Sequence, residues 1–205
     1  MRYVMQLLKV FLFLAVFHGI ILGCSSIPDI RINYQLPMEK SQLKGKRVFL
    51  TVSDSRSDSE ILAPRARKEL PNFSGNLSLI VSRSNQTGFM VGIFRVKRIL
   101  YEAFKRRLEN KGAEVCSDPN CGLELEITLL NFLMDIVDRN WVITMAYEAR
   151  LKHGEKAVAI RKIEGKAERL KLIGTGSLES VLSDIFTDLV NRLDLISLLR
   201  VTTAE

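Results

Sequence analysis

Strict alternation dominates the middle of the chain. Leu123, Leu125, Ile127 and Leu129 are separated by Glu124, Glu126 and Thr128. Trp141, Ile143, Met145, Tyr147, Ala149 and Leu151 are separated by Val142, Thr144, Ala146, Glu148 and Arg150. Successive side chains of a strand point to opposite faces, so each run predicts a strand with one face on a core and the other more polar. Asp138-Arg139-Asn140 joins the two runs and predicts an antiparallel hairpin. Shorter alternations predict further strands: Ile30 to Leu36 before Pro37, Arg47 to Ser53, Leu77 to Val81, Ala113 to Cys116 and Ala157 to Ile163. Phe89 to Val91 either extends the Leu77 strand or pairs with it across Ser84-Asn85.

Two stretches change period. Ile93, Val96, Leu100, Phe104 and Leu108 recur at three- and four-residue steps, predicting a helix from about Ile93 to Asn110 that stops at Gly112. Its other arc carries Arg95, Arg98, Lys105 and Arg106, diluted by Glu102 and Glu109, and Glu102 is spaced to pair with Arg106. Leu178, Val181, Leu182, Ile185, Leu189, Leu193 and Ile196 predict a second helix from Ser177 to about Leu199, with Ser177 placed to cap it. Together these elements predict an α+β fold. Its antiparallel or mixed sheet has about four to six strands, with two amphipathic helices packed on one face.

The first residues follow another logic. Met1 to Lys9 carries Arg2 and Lys9 and no acid, and Val10 to Leu22 is almost wholly apolar. A permanent spanning helix needs roughly 20 such residues, so a cleavable export signal fits better. Ile21-Leu22-Gly23-Cys24 satisfies the lipobox pattern, which predicts cleavage before Cys24 and acylation of its thiol and amine. The expected organisation is a signal peptide over 1–23, an acylated N-terminus and tether over 24–46, and one periplasmic domain over 47–205.

Charge adds little. The formal net charge is +7, and losing Arg2 and Lys9 leaves about +5. That excess favours anionic surfaces such as phospholipid or lipopolysaccharide head groups and is too diffuse for nucleic acid. Arg65, Arg67 and Lys68, with Arg95 and Arg98, are the candidate contacts for such a surface; a solvated face is the alternative. Cys116 and Cys121 flank Ser-Asp-Pro-Asn, a turn-forming tetrapeptide. An even pair in an oxidising compartment fits a local disulfide, with free thiols as the alternative. No second Cys/His pair exists for structural zinc.

Candidate chemistry is sparse. Asp54, Asp58 and Glu60 follow a strand but lack the glycine of a calcium loop, so a polar loop with an Arg56–carboxylate pair is expected. His153 falls in a turn, where a general base has no buried partner. Gly174-Thr175-Gly176-Ser177 lacks the third glycine of a dinucleotide motif and the lysine of a P-loop. Neither metal nor cofactor is expected, and the reading is of a non-enzyme.

In order and pattern the chain resembles the YajG-like family of envelope lipoproteins. The resemblance is carried by the lipobox, Val48 to Asp58, Ala103 to Val115, Leu123 to Phe132, Asn140 to Leu151 and Leu178 to Leu193. It does not extend to Ser59–Met90 or to the Cys116/Cys121 pair. The function of that family is poorly defined, and the resemblance implies only the acylated Cys24 and no catalytic residue. With the lipobox, the single amphipathic core and the lack of a catalytic set, the expected function is a lipid-anchored accessory module of the envelope with an unidentified protein partner. Ser25 after that cysteine is similar to lipoproteins exported to the outer membrane, facing the periplasm. Binding or transfer of anionic lipid or lipopolysaccharide is the alternative function.

Overall fold

The computed structural model describes residues 30–38, 41–83, 86–154 and 156–200. The signal segment and Cys24 lie outside the described residues. In chain order the elements are β1 (Ile30–Gln35), β2 (Arg47–Asp54), α1 (Pro64–Glu69), β3 (Leu77–Ser82), β4 (Phe89–Phe94) and α2 (Val96–Asn110). There follow β5 (Glu114–Cys116), β6 (Leu123–Val137), β7 (Asn140–His153), β8 (Lys156–Leu170), α3 (Gly176–Arg192) and α4 (Leu195–Arg200).

The fold is α+β with two mixed sheets, ordered β1-β3-β4 and β5-β2-β6-β7-β8. The β1–β3, β2–β5 and β2–β6 pairs are parallel, whereas β3–β4, β6–β7 and β7–β8 are antiparallel. Alternation sets the faces as expected. Trp141, Ile143, Met145, Tyr147, Ala149 and Leu151 are buried on the inner face. The outer face is laced with ion pairs, Lys152 lying 3.0 Å from Glu126 and Arg150 2.9 Å from Glu148. Helix α2 packs against β2, and α3 against β7 and β8; the small sheet lies over α2, with β1 running beside α3. Edge-on ring pairs tie these layers together, Tyr34 on Phe186 and Phe104 on Tyr147.

The boundary with α3 is unusual in its bonding. Backbone N–H groups of Arg31, Asn33 and Gln35 donate to the side chains of Glu179, Ser183 and Thr187, and Asn191 Nδ2 donates to the Gln35 carbonyl. Every second strand residue advances about 6.8 Å and every fourth helix residue about 6 Å, so the two rows stay nearly in step. A polar helix stripe thus satisfies a strand edge that would otherwise stand open.

Several elements differ from the sequence reading. The folded body takes in described residues ahead of Arg47: Ile30, Ile32 and Tyr34 are fully buried, and Leu43 also joins the core, so most of the described part of the expected tether is structural. Ile93 belongs to β4, paired with Ser78, because Arg95 keeps an extended backbone and the helix starts only at Val96. Strand β8 runs on to Leu170, its polar second half held by the β7 register. The terminal helix is interrupted at Leu193, whose backbone is extended, and Asp194 Oδ1 accepts the Ile196 and Ser197 N–H groups to start α4. Ser177 does not cap α3. It sits inside the first turn and accepts the Leu172 N–H at 3.2 Å. Glu102 pairs with Arg98 at 2.7 Å instead of Arg106, whose guanidinium stacks on Phe89.

Candidate functional site

A cleft of about 760 Å3 arises where β2 leaves the big sheet. Pairing with β6 runs to Asp54 opposite Leu129, and the chain returns only at Leu62, which bridges Met134. Between these points β6 carries a bulge after Leu129, and the residues between Ser55 and Ile61, both still bonded to β6, arch away from it. The Met134 N–H donates to Ile61 O and the Ala63 N–H to Met134 O, closing the arch on its far side. Helix α1 adds Pro64, Arg67 and Lys68 to one wall, while Leu130 to Leu133 form the floor.

Arg56 braces the arch from within. Its guanidinium donates to both Asp54 carboxylate oxygens, at 2.9 and 2.7 Å, and to the carbonyls of Ser59, Glu60 and Phe132. These bonds hold the Asp54 carboxyl below the usual aspartate range, against the opposing effect of its partial burial. The expected Arg56–carboxylate pair is therefore present, and it organises a loop. Asp58 accepts the Glu60 N–H, and Glu60 accepts from Arg67 at 2.7 Å. The three carboxylates thus serve separate partners. Among the described residues no group of three or more His, Cys, Asp or Glu side chains is arranged to hold a metal.

The candidate cations divide. Arg67 and Arg95 line one smaller pocket of about 240 Å3, with Ser74 and Gly75, and the Arg95 guanidinium lies against Gly75. Arg65 and Lys68 are exposed on α1. Arg98 turns along α2, paired with Glu102 and stacked on the Tyr101 ring. His153 is exposed in the β7–β8 turn, as expected. Cys116 and Cys121 are joined by a disulfide, their Cα atoms 6.5 Å apart, beside the turn of 3-10 helix at Pro119–Cys121.

One buried cation escaped the sequence reading. Arg107 is 4% exposed and donates to the carbonyls of Val190, Asn191 and Leu193, capping the C-terminal end of α3. Burial lowers its pKa. The signal was its spacing, since position 107 lies three residues after Phe104 on the buried stripe. Also missed were the exposed Leu172 and Ile173, an apolar pair in a loop between β8 and α3.

No family model matches the chain. No curated protein matches it either. Among solved structures it is similar in fold to a Xanthomonas campestris protein described under the family DUF330. That pair shares 16% identity over 86% of this chain and 94% of the other, with a TM-score of 0.53. Lipoprotein B from Nitrosomonas europaea is also matched, at 14% identity over 83% of this chain and 88% of that one, with a TM-score of 0.45. Rare lipoprotein B from Shewanella oneidensis matches at 11% identity over 78% and 92%, with a TM-score of 0.34. The class defined is an α+β domain of two mixed sheets, shared with the Xanthomonas protein at the level of fold.

Proposed function

We propose that this protein is a lipid-anchored lipoprotein of a Gram-negative envelope, acylated on Cys24 and held at the periplasmic side of the outer membrane. Its domain acts as a non-catalytic accessory module that docks on an envelope partner. The lipobox Ile21–Cys24 carries this reading. The cleft beside β6 supports it as well, because Arg56, Arg67, Asp54 and Glu60 are spent on bracing an arch. Cells treated with globomycin, which blocks lipoprotein signal cleavage, should accumulate a larger precursor. An unchanged size under treatment defeats the proposal.

A second reading, binding or transfer of anionic lipid or lipopolysaccharide, is favoured by one observation: Arg67 and Arg95, from distant elements, line a single pocket. Unlipidated protein beginning at Ser25 should then float with anionic but not neutral vesicles, and less so in high salt. No flotation at low salt ends this reading.

A further inference from the structure

Four of the nine large apolar side chains that stand exposed among the described residues gather at one end of the domain. Val137, Asn140 and Leu170 lie in register across β6, β7 and β8, so Val137 and Leu170 share the outer face two strands apart. The Lys171 N–H donates to Arg139 O at 2.7 Å and fastens the following loop to the hairpin tip. The Leu172 N–H bonds to Ser177, and Gly174, with φ of 79°, turns the chain into α3. Leu172 is 60% exposed and Ile173 fully so.

Cations flank these aliphatic groups, beside the exposed acids Asp138 and Glu69. Arg139 is exposed at the hairpin tip. Lys171 pairs with Glu69 at 2.8 Å, which brings α1, with its exposed Arg65 and Lys68, alongside the loop. The chain enters at the same end. The Arg31 N–H donates to Glu179, in the first turn of α3, one turn from the residues that follow Ile173. Five residues lie between Cys24 and Ile30, which makes six Cα-to-Cα steps. That length of chain reaches at most about 20 Å.

We propose that the end formed by Val137, Leu170, Leu172 and Ile173 faces the membrane. Its aliphatic side chains seat in the interface of an anionic phospholipid bilayer, and Arg65, Lys68 and Arg139 meet headgroup phosphates. The inference rests on the Cys24 anchor and adds an orientation to it. Aliphatic side chains flanked by Arg65, Lys68 and Arg139 match the interface of an anionic leaflet. A protein partner would more commonly meet aromatic anchors, and among the described residues none is exposed at this end. A short leash leaves the domain little choice of which end meets the surface. The His153 turn lies at the other end of β7, roughly 40 Å away at 3.3 Å per residue.

The test uses full-length, signal-processed protein reconstituted into phosphatidylglycerol–phosphatidylcholine vesicles without reductant. A polarity-sensitive fluorophore is attached at Ile173→Cys or, as a control, at His153→Cys, and Cys24 acylation is read separately by mass spectrometry. With acylated protein, the probe at 173 should shift to the blue and be quenched severalfold more by brominated acyl chains than the probe at 153. Leu170→Glu with Leu172→Glu, both at exposed positions, should abolish that quenching. Acylated protein with equal, weak quenching at both positions overturns the orientation and leaves the anchor standing. Unacylated Cys24 overturns the anchor and this inference with it. Shielding of the 173 probe that grows with protein concentration and ignores brominated lipid overturns it in favour of a second copy of the chain.

Discussion

Ser183 Oγ accepts the Asn33 N–H at 2.9 Å while its own hydroxyl proton goes to the Glu179 carbonyl at 2.6 Å. One hydroxyl thereby serves a strand edge and the helix that covers it. Ser183→Ala leaves the Asn33 N–H with no partner in a half-buried seam, at a cost of about 1–2 kcal/mol. Urea unfolding should show a lower midpoint at unchanged slope. Ser183→Thr, which keeps the oxygen, should lose less.

Arg107 closes the end of α3 by donating to the carbonyls of Val190, Asn191 and Leu193, the last of which also accepts the Leu195 N–H. Arg107→Met should cost on the order of 3 kcal/mol, since those buried acceptors lose a charged donor. Arg107→Lys should recover only part of it, because an ammonium cannot reproduce the planar fork. Thermal unfolding of both variants measures the difference.

Tyr34 and Tyr147 both have pKa values raised, chiefly by burial. Above the ordinary tyrosine value of about 10, the unfolded chain loses these protons and the folded chain keeps them, so stability falls with rising pH. Tyr147 donates to Leu189 O at 2.8 Å. Tyr147→Phe should lose about 1 kcal/mol at neutral pH and show a shallower alkaline decline. Denaturant midpoints between pH 8 and roughly 11 read both effects.

Arg56→Ala should release the 55–61 arch while the sheet stays intact. Limited proteolysis is the direct readout, with new cleavage expected between Ser55 and Ile61 and unchanged near-UV circular dichroism. Arg56→Lys keeps a charge for Asp54 but cannot also reach three carbonyls, so it should restore protection only in part.

The Cys116–Cys121 disulfide closes a short loop at the edge of β5. Loop entropy assigns it about 2 kcal/mol. Reductant should lower the unfolding midpoint accordingly, and alkylation of unreduced protein should add no mass at either residue.

Local patterns were legible where neighbours in sequence are also neighbours in space. Trp141 to Leu151 and the Leu123 run declared their hairpin through alternation, and Val96 to Leu108 declared its helix through period. The residues that escaped depend on distant partners. Ile93 looked helical because it lies three residues before Val96, yet its pairing with Ser78 holds it in a strand. Glu164 to Leu170 shows no apolar alternation, because β8 is an edge strand and β7 supplies its register. The break at Leu193 depends on Arg107, some 86 residues earlier, taking up the carbonyls. Of the candidate site, the Arg56 brace was readable from Asp54 and its spacing. The meeting of Arg67 with Arg95, and of Val137 with Leu170, belongs to topology.

Strand β1 also has a mechanical consequence. Its first residue, Ile30, lies six positions after Cys24, and β1 lies parallel to β3 with α3 bonded along its other side. A tug along the strand axis therefore loads the whole row of backbone and side-chain bonds at once, in shear, instead of peeling them one by one. The attachment point is built as a tensile joint.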